Sequence, residues 1–133
     1  MNNEIFKSSN KKHLAKLLNV GEIRFGPAYF ELELDGVKIK DRLFSSNPIW
    51  SKNEQYIALQ EWVSIKESEG PKMQLCLFDL NNNLNYTSKP IKGYAVPKLF
   101  EGNILLYNKA DWSSGSEIIT ELELHINEIT TWK

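Results

Sequence analysis

This sequence predicts a mostly β domain built of antiparallel meander sheets, and three observations carry that prediction. The segment AYFELELDGVKIKD (28–41) alternates apolar and charged residues on both sides of Asp35-Gly36, a dipeptide suited to a two-residue hairpin turn. Short apolar runs recur along the chain, separated by the turn-rich stretches SKNE, KESEGPK, NNN, KPIKG, FEGN and NKADWSSGS. The 4 Trp, 5 Tyr and 6 Phe are spread from end to end, as strand-forming aromatics are in β-rich domains.

Taken in order, residues 8–19 predict the one short helix. Ser8, Ser9 or Asn10 offers a cap, Leu14, Leu17 and Leu18 stand at helical spacing, and Asn19 to Gly21 ends the element. Lys11, Lys12 and Lys16 occupy the rest of its surface. The period changes to two in the hairpin region 22–44. A type I′ turn at Asp35-Gly36 sets Leu34 opposite Val37, Glu33 opposite Lys38, Leu32 opposite Ile39 and Glu31 opposite Lys40. Apolar then meets apolar on one face and acid meets base on the other, so a one-residue slip destroys both patterns. Further strands are expected near 48–51, 55–65, 73–80, 84–88, 94–99, 103–107 and 116–126. They group into a first meander (47–89) and a second (93–127), arranged as a sandwich or as two blade-like sheets within a single β-rich domain, 1–133. Trp50, Ile57 and Leu59 are the expected core of the first meander.

Composition narrows the class of protein. A hydrophobic share of 41% with 25% charged residues suits a packed core and argues against global disorder. The N-terminal MNNEIFKSSNKKHLAKLLNV has a polar start and no uninterrupted apolar run, so no signal peptide is expected. No stretch approaches the roughly 18 apolar residues of a membrane span. Cys76 is the single cysteine, which rules out an internal disulfide and suits a reducing cytoplasm. The formal net charge of −1 is unevenly spread: residues 1–53 carry +3, residues 54–100 balance, and residues 101–133 carry −4. With a pI near 6.1 and scattered lysines, direct nucleic-acid binding has no support.

The chemistry-bearing residues are few. His13 reads as a surface residue of the expected helix, and His125 as a solvated or interface residue beside Glu123. No His, Cys and carboxylate cluster has metal spacing, so neither a metal nor another cofactor is expected. Cys76 alternates within an apolar strand, where a free Cys acts as a small core hydrophobe. Ser8-x-x-Lys11 matches a short Ser/Lys pattern of acyl-transfer enzymes but lacks its companion motifs. The chain also lacks a P-loop, a Gly-rich dinucleotide turn and a Gly-x-Ser-x-Gly elbow. A non-catalytic protein follows.

Two resemblances add to this reading. Trp50-Ser51, Tyr56-Ile57-Ala58 and LCLFDLNNN (75–83) resemble a blade of the WD40 or TolB type of β-propeller, in a chain too short to close one. MNNEIFKSSNKKHLAKLLN, the small size and the acidic final third are similar to the immunity proteins of bacterial contact-dependent growth inhibition systems. That similarity implies a cytoplasmic partner of a cognate toxin, most simply a basic nuclease domain whose active surface it occludes. The residues themselves suggest where. Asp111, Trp112, Glu117, Glu121 and Glu123 set a Trp anchor beside a row of carboxylates that attracts a basic surface. Two alternatives stay open: Trp112 packing on its own sheet with the Glu row serving solubility, and a β domain that binds a peptide or small ligand through an exposed edge.

Overall fold

A computed structural model describes residues 3–23, 26–66, 68 and 70–133. Eleven strands follow one another: β1 (Glu4–Lys7), β2 (Leu14–Glu22), β3 (Ala28–Leu34), β4 (Val37–Phe44), β5 (Ile49–Trp50), β6 (Tyr56–Ser64), β7 (Lys72–Asp79), β8 (Leu84–Thr87), β9 (Ile91–Glu101), β10 (Ile104–Asp111) and β11 (Ile118–His125). One hydrogen-bonded path, β1-β2-β3-β4-β6-β7-β9-β10-β11, runs through them, with β5 beside β6 and β8 beside β7. Every pairing on it is antiparallel, so the fold is an open meander rather than two detached sheets.

The core sits on both faces of β6 and β7. Ile57, Leu59, Cys76 and Phe78 join Ala15, Leu17, Phe30, Leu32, Leu34 and Phe44 in one cluster. Their chain neighbours Ala58, Leu75 and Leu77 join Ala95, Phe100, Leu105 and Ile126 in a second. Alternation along a strand sends successive side chains to opposite faces, so this division means that β6 and β7 form a wall between two cores. Ile57 and Leu59 are buried as expected, and Trp50 is half-buried against the first core.

Residues 8–19 are not a helix. Leu14 to Glu22 form β2, and the described residues contain one helical turn, the 3-10 segment Ile126–Glu128. The Leu14, Leu17, Leu18 spacing misleads because only the period-two pair Ala15 and Leu17 is driven to zero exposure, while Leu14 stays exposed. The polar stretch before the strand does not cap a helix either. It wraps the Glu54 carboxylate, which accepts bonds from the Ser8 hydroxyl and from the amides of Asn10 (3.2 Å) and Lys12 (3.3 Å). Ser8 and Glu54 are both buried. His13, displaced with the helix, lies flat on Trp50 with ring centroids 6.2 Å apart, and its Nδ1 is 2.7 Å from Asp35 Oδ2.

The Asp35-Gly36 turn forms as read. Both residues have positive φ, +49° and +83°, and Leu34-Val37, Glu33-Lys38 and Leu32-Ile39 are opposite one another. The expected Glu31-Lys40 pair does not follow, because the register breaks between Leu32 and Phe30 and Phe30 meets Phe44. Asp41, at φ +61°, marks that bulge. Bulges re-aim side chains, and this one delivers Arg42 to the end of the first core. There its Nε and Nη2 each donate to a Glu61 carboxylate oxygen at 2.7 Å, Nη1 reaches Asn85 Oδ1 at 3.2 Å, and Gln74 donates to Glu61 at 3.0 Å. The guanidinium lies over the rings of Phe44 and Phe78 at 5.6 and 5.4 Å.

Two predictions follow from these polar anchors. Removing one member of a buried ion pair strands the other, so Arg42→Met is expected to cost about 3 kcal/mol in urea unfolding. Adding Glu61→Leu in the same chain should return much of that loss. The Ser8 hydroxyl, then the Lys12 and Asn10 amides, hold the Glu54 carboxyl below its ordinary value of 4.5. A depressed pKa contributes stability above the unfolded value and loses it as pH falls through the folded one. Glu54→Gln should therefore melt earlier than wild type at neutral pH, and the two melting curves should converge as pH falls well below 4.5.

Candidate interaction surface

β10 and β11 lie in the acidic end of the chain, and β9 pairs with β10. Register fixes which residues share a face: Leu106 is opposite Leu99 and Glu123, Asn108 is opposite Val96 and Glu121, and Ala110 is opposite Tyr94 and Ile119. The other face carries Leu105 opposite Phe100 and Leu124, and Tyr107 opposite Leu122, and packs on the second core. The first face therefore looks outward. On it Val96 is 38% exposed, Leu99 42%, Ile119 63% and Trp112 41%. Glu121 and Glu123 stand exposed among these apolar groups.

Of the five residues singled out in the sequence, four lie on or beside this surface. Trp112 follows β10 and meets Tyr94 edge-on, with centroids 6.3 Å apart and planes at 73°. That contact leaves Trp112 41% exposed. Glu121 and Glu123 are cross-strand neighbours of Asn108 and Leu106. Glu121 is 2.5 Å from Lys98 Nζ, an exposed pair that costs little to exchange for another cation. Glu123 is 4.0 Å from His125 Nε2, and His125 Nδ1 is 3.9 Å from Glu128. Glu117 is exposed just before β11.

Asp111 stands apart. It is opposite Ile118, on the face that carries Lys109, Thr120 and Leu122. Its Oδ1 accepts from the Ser113 amide at 2.8 Å and the Ser113 hydroxyl at 2.6 Å. Those bonds, with a smaller contribution from Lys109, lower its pKa and make it the anchor of the 112–117 loop. Gly93 fixes the same end of the sheet: at φ +138° it lies so close to β10 that an added Cβ would fall 1.8 Å from the Ala110 carbonyl.

Sequence reasoning missed a second feature. A cleft of about 460 Å³ opens beside the Asp35-Gly36 turn, with an apolar wall that includes Leu34, Val37, Ile39 and Phe78, and with Arg42, Asn83, Asn85 and the carboxylates of Asp35 and Asp79 as its polar groups. The available signal was Glu61, a lone acid in the apolar run YIALQEWV. Cys76 lies under this network, fully buried with Sγ 3.2 Å from Arg42 Nη2, and burial pushes its thiol pKa far up. It is a core residue with no thiolate to offer. Among the described residues no group of three or more His, Cys, Asp or Glu is placed to hold a metal, and no helix is long and apolar enough to cross a membrane.

No family model, curated protein or solved structure matches this chain. The surface must therefore be read from its own chemistry. Since Trp112 is held by Tyr94 alone among the aromatic contacts of the described residues, Trp112→Ala should cost about 1 kcal/mol, the value of one such ring pair. Differential scanning calorimetry should show the same unfolding cooperativity and only a small drop in Tm.

Proposed function

We propose that this protein is a cytoplasmic, non-catalytic immunity protein. In this reading it binds a cognate bacterial toxin, a basic nuclease domain, and neutralises it by covering the active surface. The observation that supports the reading best is the outward face of β9-β10-β11, where Glu121 and Glu123 stand among the exposed Val96, Leu99, Ile119 and Trp112. Exposed apolar side chains clustered on one face favour a macromolecular partner. The carboxylates select its charge, since nucleases grip phosphates with basic surfaces. Charge of this kind acts mainly on the encounter, raising the association rate and discriminating against acidic partners. The aromatic anchor supplies area that survives salt.

A second reading, a β domain that takes a small or peptide ligand, is favoured by the cleft at Arg42 and Asn85. Its claim is weaker because Arg42 already spends its charge on Glu61.

The test is to co-express the chain with a toxin-domain gene adjacent to its own and measure association by stopped flow. The wild-type rate should fall about tenfold or more between low and physiological salt. Glu121→Lys with Glu123→Lys should abolish most of that salt dependence and weaken binding while the circular dichroism spectrum stays unchanged. A partner whose rate ignores both salt and the two substitutions would move the interface elsewhere.

A further inference from the structure

The last strand ends the sheet. β11 pairs with β10 along its whole length, Ile118 to His125, and no other strand of the path bonds its outer edge. The C-terminal segment does not take that edge, since Lys133 exchanges both backbone hydrogen bonds with Asn85 on β8, at 2.9 and 3.0 Å. β11 is eight residues long and contains neither proline nor lysine, two of the devices that normally blunt an edge. The opposite edge, β1, is four residues long and carries Lys7.

The inward face of β11 is also incomplete. Leu122 and Leu124 are half-buried, Ile118 is 53% exposed, and a groove of about 210 Å³ on this face lies between Ile118, Thr120 and Leu122 on one side and Lys109, Asp111 and Ser113 on the other. A further strand laid along the edge would cover these side chains and satisfy the free backbone groups together.

Charge decides which strand fits. Two copies of this chain, paired antiparallel about a two-fold axis normal to the sheet, would centre on residue 121 or 122 to overlap over most of the eight-residue strand. The first register sets Glu121 against Glu121, and the second Glu121 against Glu123 twice. Like charges directly opposite one another are destabilising, so self-pairing is disfavoured in each. A strand carrying Lys or Arg at those positions, with apolar residues between, meets complementary groups on both faces.

We infer that β11 is an acceptor edge for a β-strand of the partner protein, in which basic and apolar residues alternate. Its basic side chains face Glu121 and Glu123, and its apolar ones extend the row of Leu122 and Leu124. This rests on the reading of the acidic sheet as the partner surface and specifies how that surface is used.

The probe is a disulfide-closed hairpin peptide whose outer strand alternates lysine and valine, added to the full-length protein while amide hydrogen exchange is followed residue by residue. The β11 amides not bonded to β10 should slow about tenfold. The glutamate-valine hairpin should leave them unchanged. Methylating the pairing amides of the lysine-valine strand removes its backbone donors without altering its charge, and should abolish the protection. Equal protection by the methylated peptide would overturn edge pairing while leaving the acidic surface intact as an electrostatic site. Equal protection by the glutamate peptide, or none by either, would overturn selection of a basic strand. So would a cognate toxin complex in which those amides stay as exposed as in the free protein, an outcome that leaves the immunity reading standing.

Discussion

Burial of β6 and β7 on both faces is the constraint from which the rest of the architecture follows. A strand half-buried on one core needs every second residue to be apolar, but Ala58 lies between Ile57 and Leu59, and Leu75, Cys76, Leu77 and Phe78 run without a break. Such a pair cannot lie at the surface of a single-layer sheet. It requires one set of strands over each face, which the chain supplies from its two ends: β2 to β4 from the N-terminal side, and β9 and β10 with the 3-10 turn from the C-terminal side. Two small cores back to back allow 133 residues to bury a central wall without a helix layer.

The chain itself satisfies the charged residues that touch this wall, although Gln60 Oε1 and Trp62 Nε1 on β6 are buried with no hydrogen-bond partner among the described residues. Glu61 is the clearest case, an acid in the wall answered by Arg42 through two bonds and by Gln74 through a third. Arg42 reaches it only because the β4 bulge at Asp41 changes the register. Glu54 solves the same problem at the β5–β6 turn, where Ser51 also bonds the Tyr56 amide through Oγ and its carbonyl through N, both at 2.9 Å. Buried polar groups arranged this way hold specific segments together, since each is costly to leave unpaired. They tie the N-terminal segment and the β3–β4 hairpin to the wall at two separate points.

The pattern of what the sequence reveals follows from the range of the forces involved. Local signals read correctly: the Asp35-Gly36 turn, three cross-strand pairs beside it and the strands that follow them along the chain. Each depends on chemistry within a few residues. The segment 8–19 misread because its local spacing suits a helix, whereas the deciding partners, Glu54 and the β1 and β3 strands, lie elsewhere in the chain. Tertiary pairing overrides weak helix propensity in so short a stretch. The bulge at Asp41 and the Arg42–Glu61 pair stayed hidden for the same reason. Of the five candidate surface residues, strand parity alone separates Asp111 from Glu121 and Glu123, but knowing that required the register of β10 against β11.

The position of the acidic residues has a consequence for the open end of the meander. A chain that adds strands one beside the next must finish with a strand that has one neighbour, and here that strand is long and carries an apolar row that its own fold does not finish covering. Left neutral, such an edge invites a second copy. Glu121 and Glu123 sit where the best-overlapping self-pairings would place them against each other, so their charge guards the edge against identical partners. In the pairing proposed above, the same charge attracts a basic strand, for which repulsion becomes attraction. In the proposed pairing one pair of carboxylates both disfavours a second copy and selects the strand that joins the edge, so the two roles that compete when the sequence alone is read become the same physical property acting on different neighbours.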